Sequence, residues 1–159
     1  MNKILCVCCL LLIHGTSTSQ SKSSIVGKWK VFSVSDQNMY FNLKTDSFSV
    51  SEELKLMHQT PEKQDELVKF LVSLWQNLEY HFTEDGKFQG FQNDTIPSVR
   101  GKYREDKKAG IMEWDVLRIN GIVQTGKVIY RIRNEWLYLT FSEKDKQIAM
   151  IFERMTEIR

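Results

Sequence analysis

The sequence of 159 residues predicts an all-β fold, an eight-stranded up-and-down antiparallel β-barrel with a helical insert between its first and second strands. Three observations lead to this prediction. From residue 78 onward, apolar and polar residues alternate with a period of two, which is typical of half-buried strands. Short turn-forming segments separate these strands at regular intervals, as in a meander. A helical period is confined to the stretch before them, at about residues 51–77.

The first 19 residues have the layout of a secretory signal peptide. Lys3 supplies a positive charge, and Ile4–Ile13 is an apolar run of ten residues. Small polar residues follow, and Ser17 and Ser19 occupy the −3 and −1 positions of a cleavage before Gln20. The run is too short to span a bilayer, which takes about 20 apolar residues. We therefore expect a secreted or periplasmic protein without an integral membrane segment after signal removal, with a single domain at residues 20–159.

All three cysteines, Cys6, Cys8 and Cys9, lie within this signal. A lipoprotein is the alternative to a freely secreted protein, because a lipid-bearing cysteine can end a signal sequence. Here the cysteines come early, and part of the apolar run still follows them. Cleavage after Ser19 leaves 140 of the 159 residues and no cysteine. The mature domain then has no disulfide and depends on its core alone, for which its length is sufficient.

The first predicted strand is Val26–Val34, and a stretch without a clear period, Ser35–Val50, follows it. Two helical segments come next. Ser51 can cap the first, which runs to about His58, and Thr60-Pro61 begins the second. The second helix carries apolar residues at helical spacing, which predicts a face packed on the barrel. These residues are Leu67, Phe70, Leu71, Leu74 and Leu78.

Seven further strands follow in an unbroken series of hairpins. They are predicted at Leu78–Thr83, Phe88–Gln92, Val99–Arg104, Ile111–Arg118, Ile122–Arg133, Glu135–Phe141 and Gln147–Arg154. The turn Glu84-Asp85-Gly86-Lys87 between the first two is of the Asp-Gly type that favours hairpins. With Val26–Val34 the strands number eight, and closure into a barrel removes their exposed edges.

The alternation assigns one face of these strands to the interior. Its members are Trp29, Val31, Tyr80, Phe82, Phe88, Gly90, Val99, Gly101, Tyr103, Met112, Trp114, Val116, Val128, Tyr130, Ile132, Leu137, Leu139, Phe141, Ile148, Met150 and Phe152. The opposite face carries charged residues and is expected to face solvent. A barrel of about eight strands can either fill its interior with side chains or hold one small ligand. The periodicity does not distinguish these two states.

The first strand contains Gly27-Lys28-Trp29, which resembles the Gly-x-Trp signature of lipocalins and related calycins. The hairpin around Tyr80–Phe88 and the Gly101-x-Tyr103 strand resemble those of bacterial lipocalin-like domains. The resemblance spans roughly residues 25–156. In that family the tryptophan plugs the closed end of the barrel, and a basic residue near the last strand packs across its ring. Arg154 stands at the matching place, so the resemblance implies that Gly27, Trp29 and Arg154 form the barrel base.

The helical insert is similar to the pair of helices that forms a lid in fatty-acid-binding proteins. Those proteins have ten strands and hold a carboxylate with an Arg-x-Tyr motif of the last strand. Here the corresponding place reads Met150-Ile151-Phe152 and carries no charge. The Thr-Asp-Tyr signature and the disulfide of many secreted lipocalins are also absent from the mature chain.

Our leading functional hypothesis is a binding module that buries a small apolar or amphipathic molecule. The candidate ligand-binding residues are Tyr80, Phe88, Tyr103, Trp114, Arg118, Tyr130, Met150 and Phe152. Arg118 shares parity with Trp114 and could either receive an anionic group or end its strand in water. The alternative is a structural or protein-interaction domain with a filled barrel. A filled barrel requires mutual contact among the interior side chains, whereas a binding barrel requires a pocket of about 300 Å³ or more.

Other function classes have little support in the sequence. Removal of Lys3 changes the formal net charge from +2 to +1, and basic and acidic residues are mixed, whereas nucleic-acid binding requires a clustered basic face. His58 and His81 are isolated, and no Gly-x-Ser-x-Gly motif occurs. Glu52-Glu53 and Glu84-Asp85 are explained as a helix cap and a turn. We therefore expect no enzyme activity, metal site, cofactor or nucleic-acid partner, and the sequence leaves the oligomeric state open.

Overall fold

A computed structural model describes residues 24–57, 60–93, 96–118, 121, 123–143 and 146–156. The predicted signal peptide, its three cysteines and His58 lie outside the described residues. The described chain forms ten strands and two helices. They are β1 Gly27–Ser35, β2 Met39–Asn42, β3 Ser47–Val50, α1 Glu52–Met57, α2 Pro61–Trp75, β4 Leu78–Phe82, β5 Lys87–Gln92, β6 Val99–Asp106, β7 Ile111–Arg118, β8 Val123–Arg133, β9 Trp136–Glu143 and β10 Lys146–Arg154. Neither of these helices has the length and apolar character needed to cross a bilayer.

Eight of the strands close into an antiparallel barrel. Strands β4 to β10 form a meander in which each strand pairs with its neighbour in the chain. Strand β1 pairs with β4 on one side and with β10 on the other, so Trp29 lies opposite both Tyr80 and Arg154. The prediction of an all-β, closed, eight-stranded antiparallel barrel is therefore confirmed.

The stretch Ser35–Val50 is not irregular as predicted, because it contains the hairpin of β2 and β3. Strand β2 pairs with the end of β1 at Ser33–Ser35. Met39–Asn42 begins with three apolar or aromatic residues in a row and shows no period of two, and Ser47–Val50 alternates over four residues only, which explains the wrong prediction. In the turn between β1 and β2, the side chain of Asp36 accepts hydrogen bonds from the backbone N–H groups of Asn38 and Met39 at 2.7 and 2.8 Å. The helices consequently follow β3, and the predicted insert directly after the first strand is matched only loosely.

Both helices begin at the predicted caps. The Ser51 hydroxyl accepts from the N–H of Leu54 at 3.3 Å, and the Thr60 hydroxyl accepts from that of Lys63 at 3.4 Å. The predicted packing face of α2 is only partly correct, since no α2 residue is fully buried. Its contacts to the core come from Leu71 and Trp75, in its second half.

Phe70 lies on the predicted stripe of α2 yet is 59% exposed. The helix is held at its C-terminal end, where the side chain of Gln92 on β5 donates to the carbonyl of Leu74. Asn77, just after the helix, also hydrogen-bonds to Asn93. Leu67 and Leu71 of the same stripe are half-buried, so Phe70 lies at the exposed edge of the face that α2 packs on the barrel.

Side chains of the barrel interior form one apolar core. All apolar members of the predicted inward set belong to it. The core includes Leu71 and Leu78 of the predicted helical stripe. It also includes residues that neither pattern predicted, namely Ile25, Val34, Met39, Phe41, Phe48, Val50 and Trp75. Several of these belong to the β2–β3 hairpin, so the hairpin extends the core beyond the barrel strands.

Three interior aromatic residues each lie opposite a glycine on the neighbouring strand. The pairs are Tyr80 with Gly90, Phe88 with Gly101, and Trp114 with Gly126. A Cβ atom on Gly101 would lie 2.0 Å from the carbonyl oxygen of Asp115 and 2.8 Å from Cε1 of Phe88. Glycine therefore leaves the space that the aromatic rings need to lie close to the sheet.

Candidate functional site

The closed end of the barrel contains the predicted tryptophan and arginine in contact. The Trp29 side chain is fully buried, and its Nε1–H donates to the carbonyl of Ile25 at 2.6 Å. The guanidinium of Arg154 lies 4.3 Å from the centre of the Trp29 ring, within cation–π range. The same guanidinium donates to the carbonyls of Val26 at 2.8 Å and Ser24 at 2.6 Å. Arg154 thus joins the last strand to the segment that precedes β1.

A layer of aromatic rings crosses the middle of the barrel. The ring of Trp114 stacks on Phe88 with centroids 5.2 Å apart and packs against Phe141 at 5.0 Å. Tyr80 joins this layer, with its ring 6.3 Å from Trp114 and 5.4 Å from Phe152. Between this layer and the closed end, the barrel is filled by buried side chains, including those of Trp29, Phe82, Met112, Val128, Leu137 and Leu139.

On the other side of the aromatic layer is a cavity of about 930 Å³. It is lined by Trp75, Tyr80, Phe88, Ser98, Val99, Trp114, Val116, Gln124, Thr125, Gly126, Lys127, Phe141, Ser142, Ile148 and Met150. Apart from the aromatic residues Tyr80, Phe88 and Trp114 of its floor, the strand residues in this set come from the first halves of β6, β8 and β10 and from the second halves of β7 and β9. Because the meander is antiparallel, these halves all lie at the end opposite Trp29. The barrel is therefore filled at one end and open at the other.

The cavity includes only part of the predicted ligand-binding set. Tyr80, Phe88, Trp114 and Met150 line it. Three predicted residues, Tyr103, Tyr130 and Phe152, do not line it. Arg118 ends β7 opposite Val99, and its side chain lies outside the described part of the chain.

Several lining residues were not among the predicted ligand-binding residues. Val99, Val116, Phe141 and Ile148 had been assigned to the interior by parity, but parity does not tell the open half of a barrel from the filled half. Trp75 belongs to α2, and the strand period that defined the interior gives no signal for it.

The three predicted interior tyrosines differ in the hydrogen-bond partners of their hydroxyl groups. The Tyr103 hydroxyl donates to the carbonyl of Thr83 at 2.8 Å, and the Tyr130 hydroxyl donates to a Glu105 carboxylate oxygen at 2.7 Å. Within the described ranges, neither the Tyr80 hydroxyl nor the Trp114 Nε1–H has a hydrogen-bond partner in the protein. Tyr80 is nevertheless only 9% exposed.

Burial also affects the acidity of Tyr80. Desolvation raises the pKa of its hydroxyl to about 12, so the group stays protonated at neutral pH. Desolvation, followed by the charges of Glu105 and Asp85, raises the pKa of Tyr103 to about 12 as well. At the cavity, Tyr80 is therefore a neutral group that can donate or accept a hydrogen bond.

We expect the free energy of unfolding to fall as the pH rises from about 10 to about 12. A tyrosine in the unfolded chain ionises near pH 10, whereas the pKa of Tyr80 in the folded protein is about 12, so the unfolded state loses its proton first. For Tyr80 the loss should reach about 2–3 kcal/mol by pH 12. Urea unfolding at stepped pH would measure it, and Tyr80→Phe should reduce the slope. An equal slope in both proteins would contradict the assignment.

Among the side chains that the structure describes, the charged ones next to the cavity lie on the outer face of the barrel. The ammonium group of Lys127 is 3.1 Å from a carboxylate oxygen of Glu113, and Asp115 accepts from the hydroxyl of Thr125 at 2.8 Å. Among lining residues with a polar side chain, Ser98 donates to the carbonyl of Gly90 at 3.1 Å. In the described residues, no three metal-ligating side chains of His, Cys, Asp or Glu come together.

The chain was compared with protein families, curated proteins and solved structures. No protein-family model matches the chain, and no curated protein matches it significantly. Among solved structures, the chain is similar to a DUF4847 family protein from Bacteroides vulgatus ATCC 8482, with a TM-score of 0.48 and 14% sequence identity. The similarity covers 82% of this chain and 94% of that chain.

Proposed function

We propose that this protein is an exported binding protein whose barrel holds one small apolar or amphipathic molecule. The observation that carries the proposal is the cavity of about 930 Å³ at the open end, with aromatic rings as its floor. Ligand pockets for small molecules occupy roughly 300–1,000 Å³ and are mostly apolar with a few polar groups, and this cavity has both properties. The cavity also meets the size condition that separates a binding barrel from a filled one.

The closed end supports a lipocalin-like, or calycin, assignment for the barrel. Gly27, Trp29 and Arg154 have the arrangement that the resemblance implies, with the guanidinium over the indole ring. A Cβ atom on Gly27 would lie 2.6 Å from a guanidinium nitrogen of Arg154, so glycine gives the arginine room. Export, with the protein secreted or periplasmic, rests on the layout of residues 1–19 alone.

The proposal includes no chemical step. The polar groups at the cavity floor are the Tyr80 hydroxyl and the Trp114 indole N–H, and both are hydrogen-bonding groups rather than acids or bases at neutral pH. General acid–base catalysis works best with a group whose pKa is near the operating pH, whereas the pKa of Tyr80 is about 12. We therefore propose that a ligand is held by burial and leaves unchanged.

We expect the protein purified from its own source to carry a molecule, detectable by native mass spectrometry and identified after lipid extraction. Val116→Trp, on a cavity wall, should reduce the amount of bound molecule because the larger ring fills the cavity. Leu117→Trp is the matched control, since Leu117 is the next residue along β7 and is exposed on the outer face. No bound molecule in the unmodified protein, or equal binding in both variants, would count against the proposal.

The second candidate is a protein-interaction domain that works through its helical insert. The observation that favours it is the exposure of apolar side chains on the two helices. Leu56 is 76% exposed, Met57 is 65% exposed and Phe70 is 59% exposed. If Leu56→Ser and Phe70→Ser removed a binding partner while a cavity-filling Val116→Trp had no effect on it, the insert rather than the barrel interior would be the functional site.

A further inference from the structure

Two polar groups at the cavity floor reach open space without a protein partner. Every buried side-chain nitrogen and oxygen of the described residues has a hydrogen-bond partner. The Tyr80 hydroxyl and the Trp114 Nε1–H have none in that part of the chain, so neither atom is completely buried. The cavity is the open space that both residues line. Both groups are therefore available to a molecule inside it.

Of the three interior tyrosines, Tyr80 differs from the other two because its hydroxyl has no acceptor in the described part of the protein. Tyr103 and Tyr130 direct their hydroxyls to acceptors of the protein, Thr83 and Glu105, away from the cavity floor. Tyr80 is more than nine-tenths buried and still lacks such an acceptor. Leaving a hydrogen-bonding group unmatched when a ligand covers it costs about 1–3 kcal/mol, so a complementary ligand must match it.

The charge around the cavity restricts the chemistry of such a ligand. Lys127 is the one cation among the described lining residues, and its ammonium group pairs with Glu113 on the outer face. An ionised group without a counter-charge is costly to bury, whereas a neutral oxygen that accepts hydrogen bonds costs far less. A carbonyl oxygen has two lone pairs and can accept from two donors at once.

We propose that the ligand is a neutral, apolar molecule with a carbonyl oxygen, which accepts hydrogen bonds from the Tyr80 hydroxyl and the Trp114 Nε1–H. Its apolar body lies against Phe88, Phe141 and Met150. This inference rests on the proposed binding function and names the class of molecule that the same cavity selects.

Three naphthalene derivatives that differ only in one substituent test this selectivity. Acetylnaphthalene carries a carbonyl, ethylnaphthalene has no acceptor, and naphthoate carries a charge. We expect isothermal titration calorimetry with the delipidated protein to show that acetylnaphthalene binds about tenfold more tightly than ethylnaphthalene, as one net hydrogen bond predicts. Naphthoate should bind more weakly than acetylnaphthalene.

Tyr80→Phe should remove much of the preference for acetylnaphthalene, because the ketone loses one hydrogen bond and ethylnaphthalene no longer covers an unmatched hydroxyl. Tyr103→Phe is the matched control, since it removes a hydroxyl that is bonded to Thr83 and lies away from the cavity. Trp114→Phe tests the second donor. If Trp114→Phe does not fold, the result with Tyr80→Phe decides whether the carbonyl inference holds.

The outcomes separate this inference from the proposed function. Equal affinities for acetylnaphthalene and ethylnaphthalene, or a preference for naphthoate, would overturn the carbonyl inference and leave the binding function in place. A preference for the ketone that is as large in Tyr80→Phe as in the unmodified protein would also overturn it. Absence of binding by all three compounds would overturn both proposals.

Discussion

Trp29→Ala should lower the free energy of unfolding by about 3–5 kcal/mol, the cost of truncating a fully buried aromatic side chain. Trp29 is 0% exposed, and it lies between β4 and β10 at the point where β1 closes the barrel. The truncation removes the contact with the Arg154 guanidinium and the hydrogen bond to Ile25 in addition to the buried area. Urea or guanidinium denaturation followed by circular dichroism would measure the loss.

Trp136→Ala is the matched control for this variant, because Trp136 is 37% exposed on the outside of the barrel. It packs on Phe32 with ring centroids 5.2 Å apart, so its loss should cost less than that of Trp29. A double-mutant cycle of Trp29→Ala with Arg154→Ala should give a coupling of about 0.5–2 kcal/mol for the cation–π contact. A cost for Trp29→Ala near that of Trp136→Ala would show that Trp29 does not hold the closed end together.

Gly101→Ala is expected to have the second large effect, a destabilisation of about 1–3 kcal/mol or more. The added methyl group would lie 2.0 Å from the backbone oxygen of Asp115, which cannot move without shifting β7. It would also lie 2.8 Å from the ring of Phe88, a member of the aromatic layer. Thermal and urea unfolding would give the change in stability.

The loss of stability in Gly126→Ala can be compared with that in Gly101→Ala, because both glycines lie opposite an aromatic residue. There the added atom would lie 2.9 Å from Nε1 of Trp114, which is a side-chain atom and can shift into the neighbouring cavity. We expect a smaller cost than for Gly101→Ala, because side chains yield more easily than backbone. Lys102→Ala on the exposed face of β6 should have little effect. If the two glycine variants lost equal stability, the backbone contact would not be the cause.

The alternation of apolar and polar residues predicted the barrel, because a strand that buries one face and exposes the other needs this pattern. Each strand has one face toward the core, and the core apolar residues of β4 to β10 follow from parity. The β2–β3 hairpin escaped detection because four residues such as Met39–Asn42 do not establish a period. Its signals were two turn residues, Asp36 between β1 and β2 and Asn42 at the end of β2, each of whose side chains accepts two backbone hydrogen bonds.

The candidate site was less predictable than the fold, because parity gives the face of a strand and not the depth at which a side chain lies. Phe152 and Tyr80 have the same parity, yet only Tyr80 lines the cavity. The sequence could not exclude Tyr130 from the candidate site, because its hydrogen bond to Glu105 joins residues 25 positions apart. Trp75 comes to the cavity through the placement of α2, which depends on contacts with Gln92 and Asn93.

The way in which β1 closes the barrel has a consequence for folding kinetics. Trp29 pairs with Arg154, so the seam joins segments at nearly opposite ends of the described chain. Contacts between residues so distant in sequence carry a large loop-closure entropy and slow the folding of small domains. During synthesis, β1 is made first and has no partner on that side until β10 follows. The edges of β1 and β9 therefore remain open to other chains until the last strand arrives, which makes this interval the period of greatest risk of aggregation.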